Sequence, residues 1–272
     1  MEKLKNQKSN IFLNLACGDV YIKNSNWINL DYYSSNSFVR SVDLLSRLPL
    51  KDGTVSAIYC SHFLEHIPID KVDFFLSECY RVLKIKGIIR IITPNFLEMC
   101  NAYVKSVKKN LDNSEFLITE ILDQLVRKKQ GGNLQKLYNR YLDEKNEKMI
   151  KFVYKRNGKN LFKRTKYKKK NFILRVANKF FRMYIYIISF LYPSSFKNQN
   201  ISFASVGENH QWLWDYYQLR YKLEKNNFSF IKKMSFKKTN IKNFPVKYLD
   251  SNVDGKPRKG AESLYLEAKK TF

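Results

Sequence analysis

Between residues 11 and 95 short apolar runs recur, and each breaks off in small or polar residues. Ile11–Ala16 ends in Cys17-Gly18-Asp19, Trp27–Leu30 in Asp31, a weaker run Phe38–Val42 in Asp43, and Val55–Cys60 in Ser61-His62. A fifth run, Ile88–Ile92, is closed by Thr93-Pro94-Asn95. Between the last two, residues 69–83 place Val72, Phe75, Leu76, Cys79, Val82 and Leu83 at helical spacing, with Lys84, Lys86 and Gly87 at its end. Continuous apolar runs separated by helical or looped segments predict an α/β fold, a parallel sheet covered on both faces. Ligands of such sheets sit beyond the carboxyl ends of the strands. The residues at those ends therefore form the candidate site.

Charge divides the chain where the alternation stops. Residues 1–98 hold 12 Lys and Arg against 10 Asp and Glu, residues 99–200 hold 24 against 7, and residues 201–272 hold 14 against 7. The expected organisation is a cofactor-binding half over 1–98, a basic helical insertion over 99–200, and a closing helix and strands over 201–272. In that last segment a helical pattern starts at Trp212, and Phe228–Met234 and Glu262–Ala268 read as strands at the sheet edge. Hydrophobic residues make up 44% of the chain, which excludes global disorder. The start, MEKLKNQKSN, has no apolar core of a leader, and the longest strongly apolar run, Met183–Tyr192, is half of what a bilayer span needs. Four cysteines without a paired spacing fit a reduced, cytoplasmic chain.

Gly18 after the first strand lets a ligand approach the backbone closely. Asp31 at the end of the second can accept both hydroxyls of a ribose, and Asp43 at the end of the third can receive an amino group such as that of adenine. The stretches NLACG (14–18), WINLD (27–31), VDLLSRLPLKDGTVSAIYCSHFLEH (42–66) and ECYRVLKIKGIIRIITPN (78–95), with ENHQWLWDYYQL (208–219) and AESLYLEAKK (261–270), resemble the class I S-adenosylmethionine-dependent methyltransferases. The group they look most like is the predicted bacterial methyltransferases associated with surface-polysaccharide genes. The resemblance implies a Rossmann-like fold with a mostly parallel seven-stranded sheet, an antiparallel edge strand and a basic helical insertion. It also implies S-adenosylmethionine as cofactor, with Ala16, Cys17 and Gly18 lining its methionine part, Asp31 on the ribose, Asp43 and Leu44 at the adenine, and Ser61 and His62 facing the sulfonium. Two departures from the family pattern stand out: Ala16 occupies a usual glycine position, and no second glycine follows Gly18.

All three histidines, His62, His66 and His210, fall inside these stretches. Transfer of a methyl group to a hydroxyl needs in-line positioning and a proton acceptor, and imidazole serves near neutral pH. The three are the candidate catalytic residues, with Glu65 placed to orient one of them. His62-Phe63-Leu64-Glu65-His66 also spells the inverted zinc-peptidase signature, which needs a helix interior. Here it follows a strand end, so no metal is expected. Asn95 does not belong to a base-amine methylation signature, which would stand where Cys60-Ser61-His62 stands.

In the middle third Lys163–Lys170 holds six cations in eight residues, and Arg175, Lys179 and Arg182 recur at intervals of three or four among apolar residues. Residues 160–192 are expected either to cap the site or to lie on an anionic membrane surface at the inner face. The expected reaction is O-methylation of a sugar in a cell-surface glycan or its lipid-linked precursor. Alternatives are an RNA or small-molecule methyltransferase, nucleic acid being the less favoured acceptor, and a membrane-associated non-catalytic protein with a degenerate cofactor pocket.

Overall fold

The computed structural model describes residues 10–34, 36–162, 179–180, 183–188, 191–193 and 207–272. The described residues divide into two compact units: those within 10–104, 156–158 and 210–272 form the first, and those within 105–155 and 159–209 the second.

The first unit is built on a seven-stranded sheet in the order β3-β2-β1-β4-β5-β7-β6. The strands are β1 (Ile11–Leu15), β2 (Trp27–Asp31), β3 (Val39–Ser41), β4 (Val55–Ser61), β5 (Leu83–Pro94), β6 (Phe228–Met234) and β7 (Ser263–Lys270). Strands β1 to β5 pair in parallel, and β7 runs antiparallel to both β5 and β6 at one side of the sheet. The α/β fold expected from the apolar runs is the fold found. The segment Lys84–Gly87, read as a helix end, is instead the start of β5. It is irregular there, with Lys86 at φ +67° and the register against β4 shifting between Val55 and Ala57. Apolar side chains on both faces of β4 and β5 explain why an inner strand won over a longer helix.

The core packs α1 (Val72–Val82) against the sheet through Val72, Phe75, Leu76, Cys79 and Val82, all fully buried. From β5 the chain enters α2 (Phe96–Lys108). The second unit contains α3 (Ser114–Val126) and α4 (Gly132–Asp143), and most of α5 (Glu147–Asn157). After it, α6 (Tyr216–Lys225) starts at Asp215, whose side chain accepts from the backbone N–H of Gln218. The short α7 (Val246–Leu249) lies on the path from β6 to β7.

No helix joins β1 to β2; an ordered loop does. Two buried asparagines hold it: Asn14 donates to the carbonyl of Val20 and to Asn29, and Asn29 donates to the carbonyls of Ile22 and Phe38 and accepts from the Ile22 N–H. These side chains satisfy backbone groups that a helix would have paired internally.

Arg90, fully buried on β5, ties the segment before β7 to the sheet. Its guanidinium lies 2.8 Å from Asp250 Oδ2 and 2.8 Å from Glu267 Oε1, and it donates to the carbonyls of Ser235 and Lys238. Tyr59 Oη donates to Asp250 at 3.0 Å, and the Phe244 and Tyr265 rings pack against the guanidinium. Among the described residues no helix is long and apolar enough to cross a membrane.

Candidate functional site

The register sets the carboxyl ends of three strands level. Leu15 pairs with Leu30 on one side and with Cys60 on the other, so residues 16–18, 31 and 61–62 emerge together at one edge of the sheet. Two of them leave their strands in the left-handed region: Ala16 and His62 both have φ +51°. For residues with a Cβ this costs roughly 1–2 kcal/mol each and is found where a loop has to turn sharply around a site.

Asp31 closes β2 and fastens the turn after β1. Its Oδ2 accepts from the Gly18 N–H at 2.8 Å and its Oδ1 from the Tyr33 N–H at 3.3 Å. Gly18 has φ +52°, and a side chain there would point into open space with no atom within 4 Å. A half-exposed carboxylate thus borders a bare turn. Each of its oxygens has a lone pair left for a ligand hydroxyl, so the pair fits a nucleoside cofactor. Cys17 is buried beside them. Burial first, and then Asp31, push its thiol up to about 12, so it stays protonated and apolar.

Asp43 is exposed; its Oδ1 accepts from the Leu45 N–H and shapes the turn after β3. Leu44 next to it sends its side chain into the core, leaving only its backbone for a ligand. Ser61 ends β4 with its hydroxyl buried. A hollow of about 520 Å³ is lined by Asp19, from the turn after β1, with Tyr21 and Tyr248, and by none of the residues assigned to the cofactor or to catalysis in the sequence.

The histidines gather around a single 3-10 turn, Leu64–His66, which itself contains His66. Glu65 is fully buried there. Its Oε1 lies 3.2 Å from His62 Nδ1, and among the described residues neither Oε1 nor Oε2 has a partner in hydrogen-bond geometry. The His62 Nε2 lies 3.3 Å from Ser263 Oγ at the start of β7. His210 arrives from the far end of the chain because Gln211 and Trp212 donate their N–H groups to the Glu65 carbonyl, and the buried Trp214 indole donates to the Leu64 carbonyl. The His66 and His210 rings then meet edge to face, centroids 4.9 Å apart. Burial lowers His62 from its ordinary value against the pull of Glu65. For Glu65 burial pushes the carboxyl up, and the three imidazoles outweigh it and hold it below the usual glutamate value.

All three histidines of the sequence therefore lie around one glutamate. The contact with Ser263 and the anchoring by Trp214 were not read from the sequence. A serine at a strand start carries no signal, whereas Trp214 stood within the ENHQWLWDYYQL stretch.

Residues 28–91 match the family model described as a methyltransferase domain. A search of the curated proteins gave no match. Among solved structures, the chain is similar to a SAM-dependent methyltransferase from Archaeoglobus fulgidus. The identity is 14%, covering 96% of this chain and 86% of that one, with a TM-score of 0.39. A SAM-dependent methyltransferase from Thermotoga maritima gives 11% identity, covering 96% and 82%, with a TM-score of 0.37. At such scores these likenesses add no weight. The matched segment, 64 of the 272 residues, runs from within β2 to within β5.

Proposed function

We propose that this chain, built on a methyltransferase domain that takes S-adenosylmethionine, methylates an oxygen of a sugar in a surface glycan or its lipid-linked precursor. The observation that carries an oxygen acceptor is the Glu65–His62 pair at the end of β4. A carboxylate facing Nδ1 holds the proton there and leaves Nε2 as the proton acceptor. An amine acceptor that arrives neutral has no such need for a base at the moment of transfer, whereas a hydroxyl does. The sugar rests on the resemblance of the motif stretches to methyltransferases associated with surface-polysaccharide genes.

When bound, S-adenosylmethionine supplies a methyl group on a positively charged sulfur. Asp31 would hold the ribose hydroxyls, and the bare turn at Gly18 would admit the neighbouring methionine part. Asp43 and the Leu44 backbone would border the adenine. His62 would take the proton released by the acceptor hydroxyl, and His66 and His210 would border the acceptor.

Residues 160–192 belong to the same reading as an attachment to an anionic membrane surface. Phe180, Met183, Tyr184 and Ile187 are exposed, which suits insertion between lipid head groups. The Lys163–Lys170 run lies outside the described residues. Binding to anionic but not neutral vesicles, weakening as salt rises, is the expected behaviour.

The function is tested in two steps. Calorimetry should show one cofactor per chain, and no binding at millimolar cofactor would overturn the assignment. Mass spectrometry of surface glycans from a deletion strain should then show a species lighter by one CH₂. An unchanged glycan profile, with methylation lost from RNA instead, would move the acceptor to nucleic acid.

A further inference from the structure

We propose that Glu65, His66 and His210 form a binding site for a divalent first-row transition-metal ion. Each offers one ligand atom, and these atoms lie within 4.8 Å of one another. Two imidazoles and one carboxylate is a donor set that suits Mn²⁺, Fe²⁺, Co²⁺ or Zn²⁺ better than Mg²⁺ or Ca²⁺. Bonds of about 2.0–2.2 Å put neighbouring ligands roughly 3–3.5 Å apart, so the three side chains need close by at most about 1.3–1.8 Å.

Three observations on the molecule point to an ion. The first is Glu65 itself. It is fully buried, and its Oε2 has no hydrogen-bond partner among the described residues. A carboxylate so placed is costly unless something positive meets it. The second is the carboxylate's outer neighbour. His62 Nδ1 lies 3.2 Å from Oε1 and Ser263 Oγ lies 3.3 Å from His62 Nε2, so an imidazole stands beside Oε1 and Oε2 is left for a metal. The third is the backbone. Two N–H groups, of Gln211 and Trp212, converge on the Glu65 carbonyl at 2.7 and 3.2 Å, so His210 is carried to His66 across most of the chain by main-chain bonds. His66 is only half-buried, whereas Glu65 and His210 are buried. The peptidase reading of His62–His66 stays excluded, because the ligands come from one turn and a distant segment rather than from one helix face.

The role of the ion rests on the reading of the chain as an oxygen methyltransferase. An acceptor presenting two neighbouring hydroxyls would occupy the ion's remaining positions. Coordination makes a hydroxyl proton easier to remove, and that proton passes to His62 Nε2 while the oxygen forms its bond to the methyl carbon and the bond from that carbon to sulfur breaks.

The test uses the full chain, freed of metal by dialysis against a chelator and titrated with Co²⁺. The visible spectrum should saturate at one Co²⁺ per chain, Zn²⁺ should displace it, Mg²⁺ should not, and the thermal midpoint should rise with Co²⁺. His66→Asn and His210→Asn should each weaken Co²⁺ binding by on the order of 10–100-fold, and His62→Gln by roughly tenfold. Folded wild type that takes up no Co²⁺, or no more than the His66→Asn, His210→Asn double variant, overturns the site. Should Glu65→Gln or a histidine variant fail to fold, the wild-type stoichiometry and spectrum alone decide. Calorimetry with S-adenosylmethionine on the metal-free protein separates the two ideas. Cofactor binding without Co²⁺ uptake overturns the metal site alone, and Co²⁺ uptake without cofactor binding overturns the methyltransferase reading alone.

Discussion

Two clusters of buried charge lie in the sheet unit, and they are built on opposite principles. Around Arg90 the guanidinium meets two carboxylates, two carbonyls and two aromatic rings, and the Tyr59 hydroxyl reaches Asp250 as well. Around Glu65 the carboxylate is equally buried, yet neither oxygen has a partner in hydrogen-bond geometry among the described residues, although the His62 imidazole lies 3.2 Å from one of them. A saturated cluster of this kind fixes a loop to a sheet. An unsaturated one costs stability and persists where the missing partner comes from outside the chain.

The largest effect should come from breaking the saturated cluster. Arg90→Met leaves Asp250 and Glu267 buried without their cation and is expected to cost about 3–5 kcal/mol in urea unfolding. A loss below about 1 kcal/mol would show that the two clusters do not differ in kind. Glu65→Gln should cost less stability, about 1–2 kcal/mol, because the imidazoles hold its carboxyl below the usual value without saturating it, while methyl transfer falls by on the order of 100-fold or more. Destabilisation as large as that of Arg90→Met would return Glu65 to a structural role.

The contrast also explains what could be read from the sequence. The strands were legible because they are apolar on both faces and break off in turn residues, and the end of α1 was misread because Lys84, Lys86 and Gly87 look like a helix terminus while they begin an inner strand. His62, Glu65 and His66 were legible as a set because they are adjacent in the chain. The Arg90 cluster was not, since Arg90, Asp250 and Glu267 are spread over 178 positions and no spacing rule joins them. His210 stood out by motif, but its meeting with His66 depends on backbone bonds from Gln211 and Trp212, which leave no trace in side-chain identity. Sequence patterns report periodic, local constraints well. Pairings between distant elements are settled by the closed sheet.

Asp31 offers an intermediate case, half-exposed and half-engaged. Its oxygens hold the Gly18 and Tyr33 N–H groups and keep lone pairs in reserve. Asp31→Ala removes hydrogen bonds to a charged acceptor and should weaken cofactor binding by about 10–100-fold in calorimetry, with stability changing less than for Arg90→Met. Unchanged affinity would place the cofactor elsewhere.

The smallest effect is one of pH, and it checks the saturated side of the comparison at a second carboxylate. Glu78 on α1 meets Arg81 at 2.7 Å and accepts from the Leu48 N–H at 2.8 Å. Arg81 first, then the backbone donor, hold its carboxyl below its ordinary value of 4.5, against burial. A carboxyl depressed in the folded chain binds its proton less readily than in the unfolded chain, so the stability it contributes is complete above 4.5 and drains as pH falls below that value. Wild type should lose stability steeply on acidification below 4.5. Glu78→Gln should start about 1–2 kcal/mol lower at pH 7 and show a shallower acid limb, because its contribution no longer titrates. Parallel acid limbs for the two proteins would mean that Arg81 and the Leu48 N–H do not favour the ionised form, and that a carboxylate with its partners in place gains nothing from them.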